Sequence, residues 1–350
     1  MKLKYYLSKR IIDIGKLERG APLSMDALTE DPNVFGKLAR WFSDDQRELD
    51  PTALNKEFHS STKILLDDEK ILMAFKGRRD VSIFTNLRVM TIDIEGLTRS
   101  KMLYITIPYR SITSYAVQSA GVWDRDSEIF LYTRNRWYLA KHTMDFRVGR
   151  TDVMMIQKLL SGFIAGRHTD AKIIFGPKNY TAHKTNMFGG LKNLTLTGGA
   201  KEVEVDEMNA KYHFEISMLL EEETVLRAFV EGRDYWLYTN RRFISIDTKG
   251  ISGKKVRYTS IPYRSMQGFI FETAGSMDRD AELWMYTHIA DVAMHNMPRI
   301  VHLLHEKQKV LVKHTDIYEM GKLILDHTVF DKTLLKANED DLVPEIDITY

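Results

Sequence analysis

The chain contains one long internal repeat, which constrains the fold more than any other feature of the sequence. Residues 65–133 align with residues 219–287 without a gap, at a constant offset of 154. In the first copy the recurring strings are Leu65-Leu66, Ala74-Phe75, Arg79-Asp80, Thr85-Asn86, Ile107-Pro108-Tyr109-Arg110-Ser111, Ala120-Gly121 and Asp124-Arg125-Asp126. Solenoid repeats have periods of about 20–50 residues, so this longer period indicates the duplication of a whole domain. A chain of 350 residues has room for two such domains.

The alignment resumes after a break. Residues 150–152 match residues 314–316 at an offset of 164, so the second copy carries extra residues after Thr287. This insertion lies within residues 288–307 and places aliphatic side chains among histidines. We expect it to form a short helix containing Ile300, Val301, Leu303 and Leu304.

Within each copy, short runs rich in β-branched and aromatic residues are separated by turn residues. In the first copy, residues 71–75 and 81–84 flank a hairpin signal. A later run stops at Pro108, which lacks the N–H that a central strand needs. The pattern predicts about seven antiparallel strands per copy.

The hydrophobic period then changes from that of a strand to that of a helix. Apolar residues recur at three- and four-residue spacing after Thr151-Asp152 and again after Thr315-Asp316, and both pairs suit a helix N-cap. An amphipathic helix of this kind can cover the open end of a small sheet. Each copy is therefore expected to end in one capping helix.

These motifs resemble the bacterial pleckstrin-homology (PH) domain family. The shared pattern is Arg-Asp followed by Phe/Tyr-Thr-Asn, then Asp-x-x-Gly, Ile-Pro-Tyr-Arg-Ser and Ala-Gly-x-x-Asp-x-Asp-x-Glu. The resemblance implies a mainly β fold with two PH-like sandwich or barrel domains, each capped by a C-terminal helix. In the first copy the pattern is carried by Arg79, Asp80, Phe84, Thr85, Asn86, Asp93, Gly96, residues 107–111, Ala120, Gly121, Asp124, Asp126 and Glu128.

The chain is thereby divided into five segments. Val34, Leu38, Trp41 and Phe42 share one helical face and predict a helical N-terminal extension. Between the copies lies a connector with Gly-Gly turns and strand-like pieces at residues 194–196 and 203–205. The predicted boundaries are 1–58 for the extension, 59–166 for the first PH-like domain, 167–215 for the connector, 216–330 for the second PH-like domain and 331–350 for the tail.

Composition argues against several functional classes. The chain has no cysteine, which removes disulfides and cysteine nucleophiles and suits a reducing intracellular compartment such as the cytoplasm. Its 50 basic and 48 acidic residues lack the basic excess of nucleic-acid-binding domains. No apolar run reaches the roughly 18 residues of a membrane span. Because no nucleophile elbow, Walker loop or zinc-protease motif occurs, we expect neither catalysis nor a cofactor.

Two acidic loops recur, at residues 124–126 and 278–280, each with the sequence Asp-Arg-Asp. Carboxylates two residues apart could ligate a hard cation, but no EF-hand spacing follows. A turn in which they bond backbone amides and arginine is the preferred interpretation. Arg110 and Arg264 are predicted to pair with such carboxylates, because arginine suits bidentate pairing.

Four basic residues lie near the first hairpin: Lys76, Arg78, Arg79 and Arg88. In eukaryotic PH domains this region binds phosphoinositide headgroups, so these residues are the candidate contacts for an anionic lipid. Residues 230–233 of the second copy lose most of this charge. These four residues define the alternative function, a membrane-surface or peptide-binding adaptor.

Three histidines, His295, His302 and His305, are spaced so that a helix could present them to zinc. They have no carboxylate nearby in sequence to support them. A partly exposed helix face is the preferred interpretation, and we expect no metal.

Self-association is the leading predicted function. PH-like sheets leave edge strands whose backbone groups must be covered or used, and a duplicated unit favours rings or lattices. The tail alternates at Ile346, Ile348 and Tyr350, so these residues are candidates for adding a strand to a neighbouring copy. The resemblance to the bacterial family supports this prediction, since its members form oligomeric rings.

The duplicated layout is also similar to that of the pyrenoid shell proteins of diatoms and related algae. This weaker resemblance implies a shell or scaffold in the plastid stroma. The predicted partner is in either case another copy of the chain, and the assembly is predicted to be a ring, sheet or shell.

Overall fold

The computed structural model describes just over half of the chain, which divides into two units, Met1–Tyr109 and Arg110–Tyr350. The division falls inside the first repeat, after the Ile-Pro-Tyr string. The described residues are 48–60, 64–77, 80–95, 101–120, 126–134, 139–147, 151–165, 200–249, 255–266, 268–272, 280–290, 303–311 and 316–328.

The first unit contains one helix and one antiparallel sheet. The elements are α1 (Pro51–Ser60), β1 (Ile71–Lys76), β2 (Asp80–Thr85), β3 (Arg88–Glu95) and β4 (Lys101–Pro108), with the sheet order β1-β2-β3-β4. Gly77 begins the first hairpin turn, where its N–H donates to the Asp80 carbonyl at 2.8 Å. A Cβ at Gly77 would lie 2.1 Å from Asp80 Oδ1, so any other residue here requires the Asp80 side chain to move.

The second unit contains an eight-stranded and a three-stranded sheet. The eight-stranded sheet has the order β7-β6-β5-β12-β11-β10-β9-β8, and the three-stranded sheet the order β13-β14-β15. The strands are β5 (Ile112–Gln118), β6 (Asp126–Thr133), β7 (Lys141–Arg147), β8 (Lys201–Glu202), β9 (Val225–Glu231), β10 (Asp234–Thr239), β11 (Arg242–Lys249), β12 (Lys255–Pro262), β13 (Gly268–Glu272), β14 (Asp280–Ala290) and β15 (Leu303–Leu311).

Three helices complete the second unit. They are α2 (Val153–Ile164), α3 (Val205–Ala210), which continues into a π-helical turn at Lys211–Glu215, and α4 (Ile317–Thr328). Asp152 caps α2, as the sequence predicts, because its side chain accepts from the N–H groups of Met154 (3.0 Å) and Met155 (3.3 Å). No helix among the described residues is long and apolar enough to cross a membrane.

The predicted mainly β architecture is confirmed. Each repeat supplies seven strands and a later helix: β1 to β7 with α2, and β9 to β15 with α4. The short helix predicted in the insertion is wrong over residues 303–307, which lie in β15 and pair with β14. The predicted connector contains α3, which the sequence analysis did not expect. Residues 1–47, which carry most of the predicted helical extension, lie outside the described residues.

The structural repeat begins before the aligned residues, at α1 and α3. Asn55 accepts from the N–H of Ile71 at 2.8 Å, and Asn209 accepts from the N–H of Val225 at the same distance. His59 and His213 each place Nε2 within 2.8 Å of a glutamate carbonyl, that of Glu69 and that of Glu223. The helix that precedes the first strand therefore belongs to each repeat.

The two repeats build the same apolar core twice. In the first unit this core contains Leu54, Phe58, Ile64, Leu65, Ile71, Ala74, Val81, Ile83, Met90 and Ile92. At the offset of 154 its counterparts are Met208, Tyr212, Met218, Leu219, Val225, Ala228, Tyr235, Leu237, Ile244 and Ile246. The second core has one additional member from the first repeat, Met154 of α2.

Candidate assembly surface

A buried ion pair recurs in both repeats. In the second unit, Arg242 donates through Nε to Glu223 Oε1 (2.8 Å) and through Nη2 to Glu223 Oε2 (3.0 Å), and both side chains are fully buried. In the first unit, Arg88 binds Glu69 in the same way, at 2.7 and 3.0 Å. Two buried charges are tolerated only when well paired and hydrogen-bonded. Each pair therefore ties the strand that carries the arginine, β3 or β11, to the loop that carries the glutamate.

The environment of Glu223 keeps the carboxylate ionised. Burial alone would raise the pKa of Glu223, but the charge and hydrogen bonds of Arg242 lower it below the ordinary value. The N–H of Leu220 (3.1 Å) and the hydroxyl of Thr239 (2.9 Å) add further donors to the same carboxylate.

The arginine of the second repeat is also bound by the first repeat. Arg242 Nη1 donates to Ser260 Oγ at 2.9 Å and to the phenol oxygen of Tyr115 on β5. The Tyr115 hydroxyl lies 2.8 Å from Ser161 Oγ on α2. Burial raises the pKa of Tyr115, although Arg242 opposes that shift. A continuous buried polar chain thus links α2, β5 and β11.

Backbone pairing joins the repeats at β5 and β12, which together form the internal seam. The strands are antiparallel, with Arg257 opposite Gln118, Tyr258 opposite Val117, Thr259 opposite Ala116 and Ser260 opposite Tyr115. At one end, Ser119 donates its N–H to the Val256 carbonyl (2.8 Å) and accepts the Val256 N–H on its hydroxyl (2.9 Å).

Side-chain contacts also strengthen the internal seam. Arg257 donates to Gln118 Oε1 at 3.0 Å, and its guanidinium lies 4.7 Å from the centre of the Phe130 ring. Lys255 approaches Glu128 at 3.5 Å. At the C-terminal end of α2, the Ile164 carbonyl accepts from Arg264 Nε at 2.9 Å. The seam thus combines a strand edge with a helix.

The counterparts of the seam strands elsewhere in the chain are edge strands. By the offset of 154, β4 corresponds to β12 and β13 corresponds to β5, and both lie at the outside of their sheets. Residues 103–106 of β4 are partly exposed, whereas residues 258–260 of β12 are buried. Ile270 of β13 is exposed, whereas its counterpart Ala116 is buried. The counterparts of the two seam strands are thus edge strands of separate sheets.

The structure removes one residue from the predicted anion-binding group. Arg88 is buried and bound to Glu69, so its predicted role as a lipid contact is wrong. Lys76 is half-buried at the end of β1, and Arg78 and Arg79 lie outside the described residues. The sequence analysis missed Glu69 and Glu223, although each recurs with its arginine at the same offset.

The other predicted sites fall largely outside the described residues. Arg264 donates through Nε to the carbonyl of Ile164, and Asp278, in an acidic loop with which it is predicted to pair, lies outside the described residues. Arg110 is exposed. In the part of the chain that the structure describes, no group of three or more metal-ligating side chains occurs. The predictions for His295, His302, Asp124, Asp278, Ile346, Ile348 and Tyr350 concern residues outside this part, and the side chain of His305 is likewise not described.

The sequence model of the bacterial PH domain family matches residues 43–164 and 193–328, which make up more than half of the chain. Two Bacillus subtilis proteins are similar in sequence. The uncharacterized protein YjqA is 42% identical over 69 residues, which are 20% of this chain and 55% of YjqA. The uncharacterized protein YozO is 31% identical over 98 residues, which are 28% of this chain and 81% of YozO. The chain thus spans about half the length of the first relative.

Three solved bacterial structures are also similar. A DUF1696 family protein with a PH domain from Shewanella loihica is 28% identical, with a TM-score of 0.30, and covers 38% of this chain and all of its own. A PH domain from Shewanella amazonensis is 31% identical, with a TM-score of 0.29, and covers 36% and 98%. A PH-domain-containing protein from Exiguobacterium sibiricum is 23% identical, with a TM-score of 0.26, and covers 34% and 60%. The resemblance to pyrenoid shell proteins has no support from these similarities.

Proposed function

The chain belongs to the bacterial PH domain family, and from this premise we propose that it is a non-enzymatic assembly protein. Its copies join head to tail, with the β4 edge of one copy pairing with the β13 edge of the next. The internal seam between β5 and β12 is the observation that carries this proposal, because it joins the same two positions of the repeat within one chain.

The internal seam also supplies a register for the external one. Shifting each residue of the seam by the offset of 154 places Leu103 opposite Glu272 and Ile105 opposite Ile270. Ile105 is partly exposed and Ile270 is exposed, so pairing would cover both side chains. Edge strands with open backbone groups readily add a further strand, and aliphatic cross-strand pairs stabilise the addition.

The two edges are different surfaces, so the contact is heterologous. A heterologous contact repeats until it closes a ring or continues as an open filament, whereas an isologous contact stops at a dimer. The proposal therefore predicts a ring or an extended row of copies.

Blocking each edge separately tests this arrangement. We expect Ile105→Lys and Ile270→Lys to be monomeric in sedimentation velocity, because a charge on an edge strand opposes pairing. Mixed in equal amounts, the two variants should form a dimer, since the mixture still offers one intact β4 edge and one intact β13 edge. Phe214→Lys is the matched control, because it replaces an exposed apolar residue outside both edge strands.

Two outcomes would contradict the proposal. The intact chain remaining monomeric at high concentration would exclude self-association. Self-association of either edge variant alone, at the affinity of the intact chain, would place the contact elsewhere on the molecule.

The alternative proposal is an adaptor that binds a membrane surface or a peptide. Its support is weaker, because one of the four candidate anion contacts, Arg88, is buried in an ion pair. Sedimentation with acidic vesicles separates the two functions: salt-sensitive binding that requires Arg78 and Arg79 would favour the adaptor.

A further inference from the structure

Exposed apolar residues of the second repeat coincide with the buried positions of the internal seam. The described residues expose four large hydrophobic side chains: Phe214, Ile270, Tyr318 and Leu325. Ile270 is 54% exposed, Tyr318 58% and Leu325 39%, whereas their counterparts Ala116, Met154 and Ser161 are 0%, 3% and 0% exposed. Three of the four therefore occupy positions that the seam covers in the first repeat.

Two of these three residues lie on one face of α4. Helix α2 is buried along almost its whole length, and at the offset of 164 its residues Met154, Lys158 and Ser161 correspond to Tyr318, Lys322 and Leu325. Tyr318, Lys322 and Leu325 are all exposed, and we call these three residues the outer face of α4. Their spacing of three and four residues aligns them along the helix.

The core of the first unit shows what this outer face would contact. In the second unit, Met154 joins a core cluster that otherwise consists of second-repeat residues. Among the described residues, the corresponding cluster of the first unit contains the counterparts of ten of these residues but no counterpart of Met154. The repeat assigns that position to Tyr318, which is exposed in its own unit.

The charges around this position are also repeated. Burial lowers the pKa of Lys158, and the nearby carboxylates of Glu221 and Glu223 oppose that shift. The counterparts of Lys158 and Glu221 are Lys322 and Asp67, both exposed. The same attraction between opposite charges is therefore available between two copies.

An ion network connects α4 to strands β8 and β9 of its own unit. Arg227 on β9 binds Glu202 on β8 (Nη2 to Oε2, 3.0 Å) and Glu319 on α4 (3.3 Å). A surface fixed before binding loses less conformational freedom when a partner arrives.

We propose that the outer face of α4 docks onto the first unit of a second copy, with Tyr318 in the position that Met154 occupies against the second core. This inference rests on the proposed head-to-tail assembly and adds a helix contact to the strand contact. The seam between copies would then combine a strand pair with a helix contact, as the internal seam does.

Single introduced thiols test this contact, since the chain has no cysteine of its own. The reaction rate of Tyr318→Cys with a maleimide is measured in the assembling chain and in the Ile270→Lys background, which blocks assembly. We expect Tyr318→Cys to react several-fold more slowly in the assembling chain. Phe214→Cys is the matched control and should react equally in both backgrounds. Leu325→Cys is a second probe, should Tyr318→Cys itself weaken assembly.

The outcomes separate the two proposals. Equal reaction rates for Tyr318→Cys and Leu325→Cys in both backgrounds, in a chain that assembles, would overturn the helix contact and leave the strand contact standing. A chain that stays monomeric at every concentration would overturn both.

Discussion

The phenol of Tyr115, from the first repeat, accepts a hydrogen bond from the guanidinium of Arg242, from the second. Both side chains are fully buried, and Arg242 is also paired with Glu223. Hydrogen bonds to charged groups are stronger than neutral ones, and their loss inside a protein leaves an unsatisfied donor. The stability of the second repeat is therefore coupled to the presence of the first.

Removing the carboxylate of this network should strongly destabilise the second unit. Glu223→Ala leaves the buried charge of Arg242 without its partner, and breaking a buried pair in this way costs about 3–5 kcal/mol. Urea unfolding of the full chain measures this loss. Asp247→Ala is the control, because Asp247 pairs with Lys249 and both side chains are more than a third exposed, where such pairs contribute roughly 0–1 kcal/mol. Equal losses for the two variants would contradict the assigned role of Glu223.

Stability should fall in acid because of the same carboxylate. The pKa of Glu223 is lowered by folding, so the folded state binds this proton less readily than the unfolded state. Its contribution is present above the ordinary glutamate pKa of about 4.3 and is lost as the pH falls through the lower folded value. The urea midpoint of the intact chain should therefore decline more steeply below this pH than that of Glu223→Gln. Parallel declines would exclude Glu223 as a source of acid sensitivity.

The hydroxyl of Tyr115 should contribute to the internal seam. Tyr115→Phe keeps the ring but removes the acceptor for Arg242 and the contact with Ser161. An unsatisfied buried donor costs about 1–3 kcal/mol, which should appear in thermal or urea unfolding. Tyr318→Phe serves as the comparison. Because Tyr318 is exposed, the free energy of unfolding of this variant should equal that of the intact chain.

A charge swap should reveal the register of the proposed external seam. Ile105→Lys and Ile270→Glu should each prevent assembly, and a single chain carrying both substitutions should assemble again. Opposite charges directly across a strand pair stabilise it by roughly 0.2–1 kcal/mol relative to alanine, whereas a lone charge on an edge opposes pairing. Sedimentation velocity at matched protein concentrations gives the comparison. Failure of the double variant to recover would place these two residues out of register.

The tail provides an independent test of how copies join. The sequence predicts that residues 346–350 add a strand to a neighbour, so deleting residues 345–350 should abolish assembly if that strand is the principal contact. Pairing between β4 and β13 requires no tail residue, and assembly through it should survive the deletion. Electron microscopy of the truncated and intact chains distinguishes the two contacts.

The fold could be predicted from the sequence because its signals are local and occur twice. The alternation of apolar residues, the turn at Gly77 and the cap at Asp152 each act within a few residues. The predicted helical extension to residue 58 includes most of α1, but α3 was not predicted. That both helices belong to the repeat was missed because only scattered positions recur there, such as Asn55 with Asn209 and His59 with His213.

The internal seam could not be predicted, because it depends on contacts between distant residues. Tyr115 and Arg242 are 127 residues apart, and no local pattern indicates that they meet. The sequence also does not show whether an arginine beside a hairpin is exposed. Arg88 is buried because Glu69 neutralises it, and that pairing becomes visible only when β3 and the loop before β1 are placed.

The pairing of β5 with β12 within one chain limits the number of repeats that a closed assembly can contain. Each chain contributes two repeats, so any closed assembly of this protein contains an even number of them. If the angle set by the seam suits an odd number, the last contact cannot close and the row winds on as a helix. Joining two neighbouring repeats in one gene would then have converted a closed ring into an open helical filament without a fixed length.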